Sequence, residues 1–267
     1  MNRVLSILFQ LSLLLILAFI ALPLVVVFAA SVSPTATISF NPTEWTMKWF
    51  GELTSRRWLD PFLLSVKLAA IVTFFSGVLG LLAAYAVAYR KCPGHEAIMA
   101  FLLSPLAVPQ IVKGVAIVLF LSSFGFYHLL GTAGLVMAHI VLTLPFVVRM
   151  IAGAMYNFDR RLDQAARILG ATAFQRIRFI LLPIIKPGLF SGMTFAFILS
   201  FNNIPLSVFL VRPGETTLPI TVINHMEYSL DPVLAAVNVA SLAFILAAIF
   251  LFERIGGFST QIHGGSK

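Results

Sequence analysis

The sequence predicts an all-α polytopic membrane protein that crosses the bilayer with six helices, and three observations carry that reading. Of 267 residues, 60% are hydrophobic and only 10% are charged, whereas soluble domains run at about a quarter charged. Mean hydropathy is +0.99. The apolar residues are gathered into runs that reach the roughly 20 residues a helix needs to cross the hydrocarbon core, and the basic residues flank those runs with a strong sidedness.

The first run, about 4–30, carries no charge from Val4 to Ala30. Its end (Phe28, Ala29, Ala30, Ser31) has the small residues of a cleavage site. A leader's apolar region is only about 7–15 residues long, however, so an uncleaved helix is expected. The second span, about 62–89, has Lys67 near its start, and the third, about 97–121, contains Lys113. From Gly114 to Val148 no charge occurs over 35 residues. As one helix that stretch would run roughly 52 Å, well beyond a core of about 30 Å, so it must fold back. The serines and glycines of 122–131 supply the turn, and a fourth span follows at about 129–148. The fifth and sixth are expected at about 187–211 and 232–252, and the whole of 1–267 reads as one transmembrane domain.

Six spans place both termini on one side. Arg3, Arg90, Lys91, Arg149, Arg160, Arg161, Arg167, Arg176, Arg178, Lys186, Arg254 and Lys267 then share that side, against Lys48, Arg56, Arg57 and Arg212 on the other. Basic residues accumulate in cytoplasmic loops, so the termini and the long loop 152–186 are expected in the cytoplasm. The same distribution accounts for the net charge of +8 through topology, and no nucleic-acid partner is implied. Trp45, Trp49 and Trp58 fall in the first outer loop, where tryptophans serve as interfacial anchors.

Several function classes drop out. The single cysteine, Cys92, excludes an internal disulfide and a cysteine-based metal site, and the five histidines show no pair at ligand spacing. No GxxxxGK[ST] phosphate loop is present, nor any catalytic constellation, so the chain is not expected to be an enzyme. None of the six spans contains Asp or Glu, which argues against an ion-coupled secondary transporter, the alternative from another class.

The loop between the fourth and fifth spans is the most informative segment. Leu162, Ala165, Ala166 and Leu169 recur at i, i+3, i+4 and i+7, one face of a short helix, while Asp163 and Arg167 stand four apart on its polar side. The alanines keep that face shallow. Gly170 supplies a residue free to turn left-handed and stop the helix. Thr172 and Gln175 have capping-box spacing for a second helix bearing Phe174, which Pro183 and Pro187 join to the fifth span.

Ala165, Ala166, Gly170, Ile180, Leu182 and Pro183 reproduce, spacing for spacing, the EAA signature of binding-protein-dependent ABC importer permeases. The departure is Gln164, which stands where that family usually has glutamate. The segments 102–112, 142–150 and 216–236 extend the resemblance to the second permease of the polyamine-type (spermidine/putrescine) importers. The resemblance implies a type I ABC importer permease fold in a bacterial cell (inner) membrane, with a cytoplasmic coupling helix at 162–173, which docks in a groove of a separate ATPase. It assigns that docking to Asp163, Gln164, Ala165, Ala166, Arg167, Leu169, Gly170, Ala171 and Phe174. It also implies an ATPase homodimer, a second homologous permease and an extracytoplasmic substrate-binding protein. The chain itself would bind no cofactor, with ATP and Mg on the ATPase.

Polar residues inside the expected spans are the candidates for a substrate pathway. Asn202 and Asn203, with Ser200 just before them and Pro205 just after, fall in the fifth span. They either line the path or hydrogen-bond a neighbouring permease. Lys113 either meets an acidic group of the cargo, pairs with an acid of the partner permease, or reaches the outer interface. Amides in place of the acids that polyamine permeases tend to show leave two cargo classes. One is a polyamine-like solute; the other is an opine, an amino-acid derivative or an aminophosphonate.

Overall fold

The structure, a computed structural model, describes residues 3–35 and 44–256. His263, Lys267, the side chain of Arg3 and part of the first expected outer loop, 36–43, lie outside the described residues. The described chain is built from helices with no strand, in the order α1 Arg3–Ser31, α2 Lys48–Glu52, α3 Arg56–Ala84, α4 His95–Leu103, α5 Gln110–Ser123, α6 Thr132–Tyr156, α7 Arg160–Ile168, α8 Ala173–Arg176, α9 Leu182–Phe201, α10 Leu218–Tyr228 and α11 Pro232–Gly256. Five stretches are long and apolar enough to cross a membrane: Leu5–Ser31, Arg56–Tyr89, Thr132–Tyr156, Ala173–Phe201 and Pro232–Gly256. The bent pair α4 and α5 makes a sixth if it counts as one span.

Two expected spans have a different shape. The third, 97–121, is broken: α4 runs through a 3-10 turn, Ser104–Ala107, and α5 leaves at 103° to it. Pro109 is the cause. Val108 before it is extended (φ −95, ψ 129), because the proline ring crowds a helical predecessor. The fifth span ends early, at Phe201 rather than 211. Ile204 precedes Pro205, and Asn203 offers its side-chain oxygen to the N–H of Leu206 at 3.1 Å, a local alternative to the helix ladder. Asn202 is therefore the C-cap of α9, not a mid-span residue. At the other end of α9 the proline break does not occur. Residues 173–201 form one rod through Pro183 and Pro187, with a π turn at Ile177–Leu181 directly ahead of Pro183. Such a wider turn accommodates the carbonyls that a helical proline leaves without a donor.

The chain separates into two compact units: 1–60 with 221–244, and 61–220 with 245–267. In the first, Trp49 and Trp58 are buried, and Trp49 Nε1 donates to the Ser33 carbonyl at 2.7 Å. Trp58 packs edge-on against His225. Only Trp45 of the three is left exposed, so the expected row of anchors is largely internal packing. In the second unit α6 is the central helix. Val147 and Ile151 of α6 join Ile185 and Ala196 of α9 and Ala84 of α3 in one buried cluster. Leu135 and Leu142 join Leu68, Leu121 and Leu206 in another.

Small residues allow this close packing. Gly188 and Gly192 form a Gly-xxx-Gly pair on α9, the pattern that lets membrane helices approach backbone to backbone. A Cβ on Gly188 would come within 2.6 Å of the Ala154 Cβ and 3.0 Å of the Met150 carbonyl oxygen, and one on Gly192 within 3.2 Å of the Val147 Cα. Gly188→Leu is accordingly expected to destabilise the fold by about 1–3 kcal/mol through forced separation of the two helices. The check is the thermal midpoint of the detergent-solubilised protein; an unchanged midpoint would show that this contact is loose.

Candidate functional site

The α7 turn is defined by local chemistry at both ends. Asp159 caps α7, its carboxylate accepting the N–H of Arg161 at 2.9 Å. At the far end the N–H of Ala171 reaches the Ala166 carbonyl at 3.0 Å and that of Gly170 reaches Arg167 at 3.1 Å. These two bonds are a Schellman stop, with Gly170 at φ +83 in the left-handed region it requires. Thr172 and Gln175 then cap α8 reciprocally: the Gln175 oxygen accepts from the Thr172 N–H at 2.8 Å, and the Thr172 hydroxyl from the Gln175 N–H at 3.3 Å. The expected helix–glycine–helix unit is thus present, with α7 at Arg160–Ile168.

Polar contacts of Arg160 and Asp163 tie α7 to the membrane helices of its unit. The Arg160 guanidinium donates to the carbonyls of Tyr89 at 2.8 Å and Ala88 at 3.3 Å. It also lies 5.8 Å from the Tyr89 ring centre. Those carbonyls end the π turn Tyr85–Tyr89 that extends α3, and the last carbonyls of a helix have no intrahelical donor. Asp163 pairs with Arg176 at 2.7 Å, a partially sheltered contact to the start of the 173–201 rod. The expected i, i+4 pairing of Asp163 with Arg167 gives way to this one, since the capped α8 brings Arg176 alongside while Arg167 stays exposed.

The α7 turn presents both apolar and basic side chains outward. Ile168 and Leu169 are 85% and 86% exposed, and Phe174 and Phe179 are also exposed. Gln164 and Ala165 are exposed beside them, with Arg161, Arg167 and Arg178 around the edge. An open groove of about 410 Å³, lined by Leu169, Gly170, Ala171, Gln175, Arg176, Phe179 and Ile180, runs behind the knob. Ile168, the most exposed apolar side chain of α7, lies outside the periodic face read from the sequence.

The polar residues of the expected pathway sit in a second constellation. His139, 0% exposed on α6, bonds the Ser200 hydroxyl through Nδ1 at 2.8 Å and the Ser207 hydroxyl through Nε2 at 2.9 Å. Ser207 gives its one proton to the Asn203 carbonyl at 2.9 Å. In the neutral ring Nε2 is therefore the donor and Nδ1 accepts from Ser200. Asn203 Nδ2 goes on to donate to Gln110 Oε1 at 2.7 Å. Asn203 and Ser200 are brought together by this buried network, while Asn202 is exposed and outside it. Lys113 is committed elsewhere: its Nζ donates to the Pro105 carbonyl at 3.0 Å. That carbonyl also accepts the N–H of Val108 at 3.4 Å, so the lysine supplies its second hydrogen bond at the bend.

The family model of the binding-protein-dependent transport system inner membrane component matches residues 76–256. The chain belongs to that family. It is 28% identical over 207 residues to the putrescine transport system permease protein PotI of Escherichia coli, covering 73% of this chain and 74% of that one. It is 26% identical over 251 residues to the spermidine/putrescine transport system permease protein PotC of Shigella flexneri, covering 94% of each. The sulfate transport system permease protein CysT of Salmonella typhimurium is also 26% identical, over 257 residues and 90% of this chain and 91% of that one. Among solved structures, a chain of a bacterial ABC transporter that imports the acidic polysaccharide alginate superposes with a TM-score of 0.76 at 16% identity, over 94% of this chain and 96% of that one. The MetNI methionine ABC transporter follows with a TM-score of 0.60 at 19% identity, over 76% and 94%. The fold is that of type I ABC importer permeases, and the chain is an inner-membrane permease subunit of an ABC importer.

Proposed function

We propose that α7 and the turn after it are the coupling element of this permease, docking into a groove on a separate ATPase subunit that binds ATP and Mg. Support comes from one observation above all. The turn is rigidly capped at both ends and tied to two membrane helices, yet it leaves Ile168 and Leu169 almost wholly exposed. With Asp163 engaged by Arg176, the outward surface is an apolar knob with a basic edge. Its complement is an apolar groove with acidic residues at the margin. Gln164, Ala165, Ala166, Arg167, Leu169, Gly170, Ala171 and Phe174 contribute to the contact or its shape, while Asp163 acts from within. The bent α4–α5 pair serves as one span, which gives six. Both termini and α7 then face the cytoplasm, in line with the distribution of basic residues. A second permease completes the pathway, and an extracytoplasmic binding protein delivers the cargo.

The cargo of this reading is a small polar amine-bearing solute of polyamine type. Similarity to PotI and PotC over most of the chain supports it. A second reading, an acid-bearing solute such as an opine, an amino-acid derivative or an aminophosphonate, is favoured by the amides of Asn202, Asn203 and Gln110 where carboxylates would suit a polycation, and by the similarity to a sulfate permease. In proteoliposomes holding the complete transporter and its binding protein, labelled putrescine is expected to accumulate with ATP. Accumulation of a labelled aminophosphonate or amino-acid derivative with no putrescine uptake would select the second reading.

A further inference from the structure

Arg160 and Asp163 tie α7 to two membrane helices, so a push on the turn can spread by two routes. Asp163 holds the 173–201 rod through Arg176 at 2.7 Å, and that rod also continues covalently from the turn; the Asp163 carboxylate also accepts from the Tyr89 hydroxyl at the end of α3. α3 has no such covalent route: some seventy residues separate Arg160 from the carbonyls of Ala88 and Tyr89 that it grips. Those carbonyls are not taken by backbone donors, since the N–H of Arg90 turns back to Tyr85 and that of Cys92 to Ala86. They are the negative end of a helix dipole, to which a guanidinium is well suited. Below this contact Tyr89 rests on the buried Phe158, two residues before Arg160. The first turn of α7 is thereby held to the end of α3 from both its side chain and its approach.

We infer that Arg160 is a positioning residue which couples α7 to α3, so that displacement of α7 by the ATPase moves α3 together with the 173–201 rod. Arg160 touches neither nucleotide nor cargo in this scheme. It sets how much of the stroke reaches the pathway. Loss of the contact leaves a turn that still docks and a rod that still moves, while α3, held only by the Tyr89–Asp163 hydrogen bond and the Phe158 packing, lags. The inference rests on the coupling role proposed for α7.

The test is the number of ATP molecules hydrolysed per cargo molecule imported, measured on the complete transporter in proteoliposomes. Arg160→Ala is expected to retain ATP hydrolysis while raising that ratio several-fold. Arg160→Lys, which keeps a cationic donor to the Tyr89 carbonyl, is expected to bring the ratio most of the way back. The ratio is counted per turnover, so a lower yield of assembled transporter does not move it; if Arg160→Ala does not assemble, Arg160→Gln takes its place. An unchanged ratio in a variant that assembles overturns the inference. Ala166→Trp, assayed alongside, separates this from failure of the coupling role. Loss of ATPase copurification with Ala166→Trp, beside an unchanged Arg160→Ala ratio, removes only the α3 linkage. Normal copurification of Ala166→Trp removes the docking role, and the linkage with it.

Discussion

Tryptophan at Ala166 or Gly170 is expected to reduce ATP-driven uptake to background and to release the ATPase during purification. Ala166 supplies the carbonyl that closes the Schellman stop, and its small side chain lies half-buried on the shallow side of α7. Gly170 has φ +83 with open space where a Cβ would be. A side chain there costs about 1–2 kcal/mol in backbone conformation alone. Bulk forced into a well-packed contact costs a further 1–3 kcal/mol or so, and each 1.4 kcal/mol is about tenfold in affinity. Gly94, with φ +73 and equally open surroundings, provides the control. Gly94→Ala carries the same kind of backbone strain outside the turn and should leave ATPase copurification intact. Normal assembly and uptake with tryptophan at both 166 and 170 would show that the ATPase does not read this surface.

The second large effect falls on stability. His139 stands between two hydroxyls with no exposure to solvent. Its own carbonyl accepts from Thr143 at 2.8 Å, and Thr143 in turn bonds Ser76 of α3 at 2.7 Å. His139→Leu keeps much of the volume and strands the Ser200 hydroxyl, while Ser207 keeps its bond to the Asn203 carbonyl. Stranded buried polar groups cost about 1–3 kcal/mol each, while interhelical hydrogen bonds within membranes average nearer 0.6 kcal/mol. A net loss of about 2 kcal/mol is expected, read as a lower thermal midpoint in detergent. Removing the stranded hydroxyl as well, in a Ser200→Ala/His139→Leu variant, should recover part of that loss. A double variant less stable than the single one would contradict the stranding of the Ser200 hydroxyl.

How much of this was legible in the sequence depends on the distance over which each feature is determined. The stop at Gly170 and the capping box at Thr172 and Gln175 are decided within a few residues, and they stand as expected. The break before Pro109 and the end of α9 at Phe201 are also local, written in the prolines and in Asn203. A count of apolar residues passes over them, because hydropathy is averaged across the very residues that bend the chain. The Gly-xxx-Gly pair at 188 and 192 was equally open to reading. The partners of His139 and Asp163 were not. Ser200 lies 61 residues from His139 and Arg176 lies 13 from Asp163, and which of several hydroxyls or arginines arrives is decided by packing of α6 against α9 and by the folding-back of α8. Lys113 shows the same limit: its partner is the Pro105 carbonyl eight residues away, across the bend at Pro109.

Engagement of the capped α7 turn by a separate ATPase is open to site-specific crosslinking, with a photoreactive residue placed singly along 159–179 and at 91–98 in the assembled transporter. Crosslinks to the ATPase are expected to concentrate at positions 164, 165, 168, 169 and 174, which are exposed in the chain, with weak ones at the inward positions 163 and 176. Crosslinks absent from 164–174 while present at 91–98 would contradict it.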